Sequence, residues 1–292
     1  MNTFEPIVSD LYYLKIPFGP VFTSSILLLK PELILVDTGA TARDVDEVLV
    51  PALAELGLSV KDLRTVTVTH CHGDHLGGLK RLSELGEGAF KVEVYEEAAP
   101  KVQDPVPYAI RIRTAFPAFS PAPQSFLQGV RPDAALPEGA LIGGRLEILH
   151  TPGHDNDCTA FLDRETGTLV TGDSLQGNGT ISQGIGFYQS LPDYLGTLKK
   201  LSEREDIERI VLGHDYDGIG YLVSGKAAVR QTLTYASERV RTYHEFILAH
   251  SSLAMPEIAV KLIEREGVGM PEKLFMALYT VREHLNYSGT IA

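Results

Sequence analysis

The chain has 292 residues with a 44% hydrophobic fraction, enough for one large domain, or one domain and an appendage, with a substantial core. Its formal net charge is -12, and residues 225–292 hold eight Lys/Arg against seven Asp/Glu, so the negative charge lies in the first 224 residues. Such a surface repels phosphate backbones on average, which argues against a nucleic-acid partner without excluding one, and no long apolar run or basic-then-apolar leader points to a membrane span or secretion signal.

The first third reads as sheet with covering helix. Residues 7–16 and 21–29 are rich in β-formers and are separated by Pro17-Phe18-Gly19-Pro20, a turn. Residues 33–36 form a short buried strand ending at Asp37-Thr38-Gly39. Thr41 caps a helix whose apolar positions are Val45, Val48, Leu49, Leu53 and Leu56, with Pro51 as a kink and Gly57 as its end. The β-branched run 65–69 is the next strand, and a helix-like segment with Gly77 and Gly78 follows. This strand–helix–strand order predicts sheet covered by helix.

After a strand at 91–95 the character changes. Residues 96–140 contain eight of the seventeen prolines, together with Arg111, Arg113 and Arg131. An insertion of short helical pieces is predicted, serving either as a lid or binding loop or as a packed excursion or homodimer contact. Strands resume at 145–149, 158–162, 168–171 and 209–212. A glycine-rich stretch, 176–186, precedes a helix started by Ser190, Pro192 and Asp193. From about residue 224 the pattern is helical, over 224–249, 256–265 and 271–286. The expected division is a domain of sheet covered by helix over 1–223 and a helical segment over 224–292.

The chemistry is concentrated in Thr69-His70-Cys71-His72-Gly73-Asp74-His75, where four His/Asp ligand types fall within six positions. Residues two apart on an extended chain point to one side, so a strand end is expected to present His70 and His72 to one cation. Asp74 and His75, after the turn at Gly73, are placed to face a second. The same residue types recur at later strand ends as His154, Asp173 and His214. These divide into two sets, His70/His72/His154 and Asp74/His75/His214, with the two oxygens of Asp173 suited to a bridge. Imidazole and carboxylate suit zinc, iron or manganese.

The motifs THCHGDH, TPGH, TGDS and LGHD, in this order, resemble those of the metallo-β-lactamase fold superfamily across roughly residues 5–220. The resemblance implies an α/β (α+β) fold, an αββα four-layer sandwich with its metals at one edge, and a C-terminal helical appendage. It implies a dinuclear hydrolase in which a metal-bridging hydroxide attacks a small-molecule substrate, with Asp74 both ligating and orienting that hydroxide. An aspartate at the bridging position resembles the glyoxalase II, lactonase and ribonuclease Z branches, so zinc and a small ester, thioester or lactone are expected first. A ribonuclease or phosphodiesterase, an iron-dependent redox enzyme and a non-catalytic binding protein are the alternatives. Asp37 resembles the family's VDTG element, which braces the metal loops. One departure is visible: family members often follow TPGH with Thr and a small residue, whereas here Asp155, Asn156 and Asp157 follow.

The remaining candidates receive plainer roles. Tyr188 and Tyr216 are candidate hydroxyls near the substrate. His150 is expected to be structural, and His244, His250 and His284 solvated or capping. Arg111 and Arg113 are expected to be surface charge. Cys71 and Cys158 are expected to be buried thiols outside any disulfide, in keeping with a reducing cytoplasm.

Overall fold

The computed structural model describes residues 3–291. The N-terminal region folds into strands β1 (Glu5–Val8), β2 (Leu11–Phe18), β3 (Val21–Leu28) and β4 (Ile34–Val36). The single strand expected over 7–16 is thus two, because Ser9 adopts φ 42 and turns the chain back. The hairpin turn also contracts, leaving only Gly19-Pro20 between β2 and β3. Next come helix α1 (Ala42–Asp44), a π-turn (Val45–Leu49) and α2 (Val50–Glu55), in one continuous run. Thr41 and Asp44 form a capping box at its start. A π-turn ends just before Pro51, whose missing N–H cannot complete the regular ladder.

Strand β5 (Thr65–Thr67) leads to α3 (Gly73–Leu76) and α4 (Leu79–Gly86), then β6 (Lys91–Tyr95). Residues 96–140 hold α5 (Ala99–Gln103), α6 (Val106–Thr114) and strand β7 (Ala134–Leu136). The second half contributes β8 (Leu141–Ile142), β9 (Leu146–His150), β10 (Thr159–Asp163), β11 (Thr168–Gly172), α7 (Leu191–Ser202), β12 (Arg209–Tyr216) and β13 (Gly220–Ser224). Three helices complete the chain: α8 (Lys226–Ala249), α9 (Met255–Glu266) and α10 (Phe275–Asn286). Strand β13 is not among the expected elements; Gly218 and Gly220, both at positive φ, mask a short hairpin return.

Among the described residues, thirteen strands form two sheets, β1-β2-β3-β4-β5-β6-β7 and β13-β12-β11-β10-β9-β8. Strand alternation shows the layering directly. On β3, Leu27 joins the core beneath the 45–53 helical run, while its neighbours Ile26 and Leu28 join the core between the sheets. On β10, Phe161 faces the other sheet while Ala160 and Leu162 face α7 and α8. A strand buried on both faces reads as continuous apolar sequence, as β10 does. The result is an αββα sandwich. Helices α8, α9 and α10 build a further core around Tyr243, Ile258, Leu262, Leu278 and Val281. Among the described residues no helix is long and apolar enough to cross a membrane.

Strands β4, β5, β11 and β12 run parallel within their sheets and end on one edge of the sandwich. Ligands gather beyond such carboxyl ends. The chain leaving β4 carries Asp37, that leaving β5 carries His70 to His75, and that leaving β11 carries Asp173, while His214 lies near the end of β12.

Candidate metal centre

The expectation that β5 itself carries His70 and His72 is corrected: the ladder ends at Thr67. The loop beyond is held by side-chain anchors instead. Asp37 Oδ1 accepts the Thr69 N–H at 2.7 Å, and Oδ2 accepts the Thr69 hydroxyl at 2.8 Å and His75 Nδ1–H at 2.8 Å. Asp37 holds this arrangement from a left-handed backbone, φ 63. Asp157 Oδ2 accepts the Cys71 N–H at 3.0 Å. Two carboxylates therefore do for this loop what a neighbouring strand would otherwise do.

Seven side chains converge at the sheet edge. The ligating atoms within each of the sets His70/His72/His154, His70/His75/Asp173 and Asp74/His75/His214 lie within 4.8 Å of one another. Asp173 stands between the groups: Oδ2 is 3.3 Å from His154 Nε2 and 3.4 Å from His214 Nε2, and Oδ1 is 3.4 Å from His75 Nε2. Asp74 Oδ2 is 3.2 Å from His214 Nε2. Two backbone positions permit this approach. A Cβ at Gly213 would collide with Asp173 Oδ1, and one at Gly77 would collide with the Ala40 carbonyl, which packs α3 onto the β4 loop.

Each ring's outer nitrogen is fixed. His154 Nδ1–H donates to the Phe187 carbonyl at 2.9 Å and His214 Nδ1–H to the Phe22 carbonyl at 2.6 Å. With His75 Nδ1–H held by Asp37, the Nε2 lone pairs of all three rings face inward. His72 is turned the other way: Nδ1 lies 2.9 Å from His154 Nε2, and Nε2 faces Asp155 Oδ2 at 3.3 Å. His70 Nε2, His75 Nε2 and Asp173 Oδ1 are buried without a hydrogen-bond partner among the described residues. Orphaned buried acceptors are costly and uncommon. The ligand atoms of His70, His75 and Asp173 lie within 4.8 Å of one another, with His75 Nε2 3.4 Å from Asp173 Oδ1, a spacing that suits a shared cation about 2.0–2.2 Å from each donor.

The electrostatics separate the two halves. Burial, reinforced by the neighbouring His75 and His72 rings, holds His70 well below its ordinary range. Burial also takes His154 down to about 4, against the pull of Asp173. Burial would lower His75 and His214 too, but the carboxylates overcome it. Asp37, Asp74 and Asp173 hold His75 well above its ordinary value, and Asp173 and Asp74 lift His214 to about 10. Despite burial, His75 and His214 hold Asp74 in its ionised form. Without metal, the His70/His154 side thus favours neutral imidazoles while the His75/His214 side pairs its imidazoles with carboxylates, and the combined donor set suits a pair of divalent ions.

The other candidates divide. The Tyr188 hydroxyl is bonded to His284 and its ring stacks on Tyr194, so it does not reach the cluster as expected. Tyr216 is buried beside His214, and its hydroxyl accepts from Gln176 Nε2 at 3.2 Å, behind the ligands rather than toward the cavity. His150 bonds the Asn156 carbonyl and packs on Tyr95, and His250 caps α8. His284, expected to be solvated or capping, is fully buried. Cys71 and Cys158 are buried free thiols whose pKa values burial pushes well up.

Arg113 is also corrected. It lines the cavity over the cluster and is only partly exposed, with Nε and Nη1 buried. That cavity is walled by Lys101, Ile112 and Arg113 from residues 96–140, by Phe187, and by Phe275 and Met276 of α10. Sequence reasoning missed Lys101. It is buried, and its ammonium donates to Asp155 Oδ1 at 2.8 Å and Asp157 Oδ1 at 2.6 Å. Burial disfavours its charge, but the two carboxylates hold it protonated. The signal was present in TPGHDND, since two carboxylates packed behind a metal loop require a cation.

This fold and edge site define a known class. The model of the metallo-beta-lactamase superfamily matches residues 18–214, and the chain belongs to that superfamily. Membership and the His/Asp clusters imply divalent metal binding. The chain is 26% identical over 262 residues to a Drosophila melanogaster protein named beta-lactamase-like protein 2 homolog, covering 87% of this chain and 77% of that one. It is 27% identical over 199 residues to the Homo sapiens protein named acyl-coenzyme A thioesterase MBLAC2, covering 62% and 68%. Several other curated relatives are matched over only about half their length or less. A crystal structure of a metallo-beta-lactamase family protein from Thermus thermophilus superposes with TM-score 0.71 at 25% identity, covering 96% of this chain and 94% of that one.

Proposed function

We propose that this chain is a dinuclear metal-dependent hydrolase of small acyl substrates, thioesters foremost among esters, thioesters and lactones. The observation that carries the reading is the convergence of seven donors with His70 Nε2, His75 Nε2 and Asp173 Oδ1 left unpartnered at its centre. In this reading His70, His72 and His154 hold one cation, Asp74, His75 and His214 the other, and Asp173 lies between them. Zinc is the ion this reading favours. A pair of such ions, when bound, supplies hydroxide near neutral pH and polarises a carbonyl.

The chain's own residues do the rest. Asp37, Asp155 and the Phe187 and Phe22 carbonyls keep the His75, His72, His154 and His214 rings aimed, which is the usual task of groups behind metal ligands. The ionised Asp74, at the cavity floor, accepts a hydrogen bond from the attacking water and orients it toward the acyl carbon. Water adds to that carbon, the carbon–sulfur bond breaks, and the products are a carboxylic acid and a thiol. Phe187, Phe275 and Met276 offer the acyl chain an apolar wall and limit access of bulk water. In this reading the 224–292 segment is an appendage that finishes the pocket of the 1–223 sandwich. The similarity to a relative named as an acyl-coenzyme A thioesterase supports the thioester choice.

The test is element analysis of purified protein beside a panel of thioesters, lactones and phosphodiesters. Two equivalents of divalent metal per chain and metal-dependent thioester turnover are expected. Iron with no hydrolysis, or phosphodiester cleavage alone, would overturn the assignment.

A further inference from the structure

Arg145, Arg239 and Arg113 carry buried guanidinium nitrogens in different company. Arg239 keeps one buried Nε without an acceptor among the described residues, but its charge is paired through Nη1, which donates to Glu266 Oε2 at 3.0 Å. Arg145 has a filled fork: Nε and Nη2 donate to Asp163 Oδ1 and Oδ2 at 2.6 and 2.8 Å, and Nη1 donates to the Lys30 carbonyl at 2.9 Å. That is a structural arginine. Arg113, on α6, faces the cavity instead. Its Nε and Nη1 are buried and have no acceptor among the described residues. These two nitrogens lie on different edges of the guanidinium plane, so a two-oxygen acceptor on either edge meets one of them together with Nη2. A buried charged donor without an acceptor is costly, and folded proteins rarely tolerate it without a purpose.

The surroundings define what fits. The Phe275 ring lies 4.1 Å from the Arg113 guanidinium carbon and covers one face of it. An acceptor must therefore approach in the plane, the geometry in which arginine grips a two-oxygen anion. Asp74 lies near enough for its charge to favour the Arg113 cation against the cost of burial. The guanidinium and the metal-ligand cluster thus share one cavity. Neighbouring walls are largely apolar, with Ile112, Phe275 and Met276 beside it. One guanidinium offers one positive charge and a flat pair of donors, which match the charge and shape of a carboxylate.

We propose that Arg113 is the anion-recognition point of the pocket, and that it selects thioesters carrying a carboxylate within reach of the scissile acyl carbon. Phe275 backs it and fixes its plane. This inference rests on the thioester-hydrolase reading for its substrate, but the arginine subsite itself does not depend on turnover.

Three matched probes test it: the butyryl thioester of N-acetylcysteamine, which is neutral; the succinyl thioester of N-acetylcysteamine, with the carboxylate on the acyl side; and the butyryl thioester of N-acetylcysteine, with the carboxylate on the leaving group. The metal-loaded wild-type protein is expected to favour at least one anionic probe over the neutral one by about tenfold to a hundredfold in kcat/KM, chiefly through KM. The anionic probe that gains tells on which side of the thioester the carboxylate sits. In Arg113→Gln the anionic-to-neutral ratio should fall to near one, and Arg113→Lys should keep part of it. A wild-type ratio near one for both anionic probes, or a ratio unchanged in Arg113→Gln, overturns the proposal. If no thioester is hydrolysed, the functional reading fails, and calorimetric binding of glutarate against neutral glutaramide decides the subsite alone. Glutarate binding weakened tenfold or more in Arg113→Gln upholds it, and equal binding by both proteins overturns it.

Discussion

The molecule holds two clusters of histidine, and their difference shows what makes a metal site. At the sheet edge, His75, His154 and His214 each spend one ring nitrogen on a fixed acceptor and turn the other inward, where His70 and two aspartates meet them. In the helical segment, His284 and His244 face each other through Nδ1 at 3.2 Å, and His284 Nε2 is bonded to the Tyr188 hydroxyl. There both nitrogens of His284 are occupied by neighbouring side chains, and no carboxylate bonds the ring. The first cluster is an array of donors aimed at a common point. The second is a closed polar knot inside an apolar core, joining α8 and α10 to the loop after Gly186. Histidines in proximity therefore mean little until the fate of each second nitrogen is known.

The strongest way to break this comparison is to remove a donor from each cluster. His72→Ala and Asp173→Ala are expected to lose metal and turnover together, turnover falling by roughly three orders of magnitude or more as judged by element analysis and initial rates. The matching His244→Ala, outside the donor set, should keep its metal content. Full activity in metal-depleted His72→Ala would sink the hydrolase reading.

A second test addresses the support behind the donors. Lys101→Met leaves Asp155 and Asp157 buried without their shared cation. Breaking a buried ion pair from one side costs about 3–5 kcal/mol. Urea denaturation should show a loss of that order, and metal affinity should fall with it because Asp155 faces His72. A loss below about 1 kcal/mol would mean that these carboxylates are not bound to Lys101 in solution. Milder still is Asp37→Asn, which keeps the shape but weakens the grip on His75 and Thr69. Metal affinity should fall by about 10–100-fold with the fold intact, as measured by competition with a chelator. An unchanged affinity would reduce Asp37 to turn chemistry.

Much of this was legible in the chain, for identifiable reasons. Sheet covered by helix follows from short β-branched runs alternating with helical periodicity, the four-layer sandwich follows from the resemblance carried by THCHGDH, TPGH, TGDS and LGHD, and the donors follow from His and Asp recurring at strand ends. Pairing with a distant partner left weaker traces. Lys101 reads as an ordinary helical lysine until Asp155 and Asp157 are placed beside it by a loop 54 and 56 residues further along the chain. Arg113 sits in the alternation Ile110-Arg111-Ile112-Arg113, which does not tell which arginine turns inward. Arg111 remains exposed while Arg113 does not, because α6 lies across the cavity mouth with Ile112 and Arg113 on its inner side. His284 occupies a polar-looking helix end, Arg282-Glu283-His284, and nothing local announces that the Tyr188 loop will bury it.

The finest discrimination comes from pH, through the second cluster alone. Burial, with a smaller push from His244, takes His284 from its ordinary 6.5 down to about 3. Tyr188, His244 and Tyr243 are the titratable groups that pack on its ring, and none is acidic. Its folded-state pKa is thus depressed, so between roughly pH 6.5 and 3 the unfolded chain binds a proton that the folded chain refuses. Stability contributed by the neutral ring is present in full above about pH 6.5 and is lost as pH falls through that window. At pH 5 the loss amounts to about 2 kcal/mol relative to pH 7, from the linkage relation. His284→Gln retains a polar partner for Tyr188 and cannot titrate. The difference in unfolding free energy between pH 7 and pH 5 should therefore shrink by about 2 kcal/mol in this variant, measured by urea denaturation at each pH. A variant whose acid limb parallels that of the parent would show that the knot opens and hydrates its histidine in solution, and the contrast between an aimed cluster and a closed one would lose its second half.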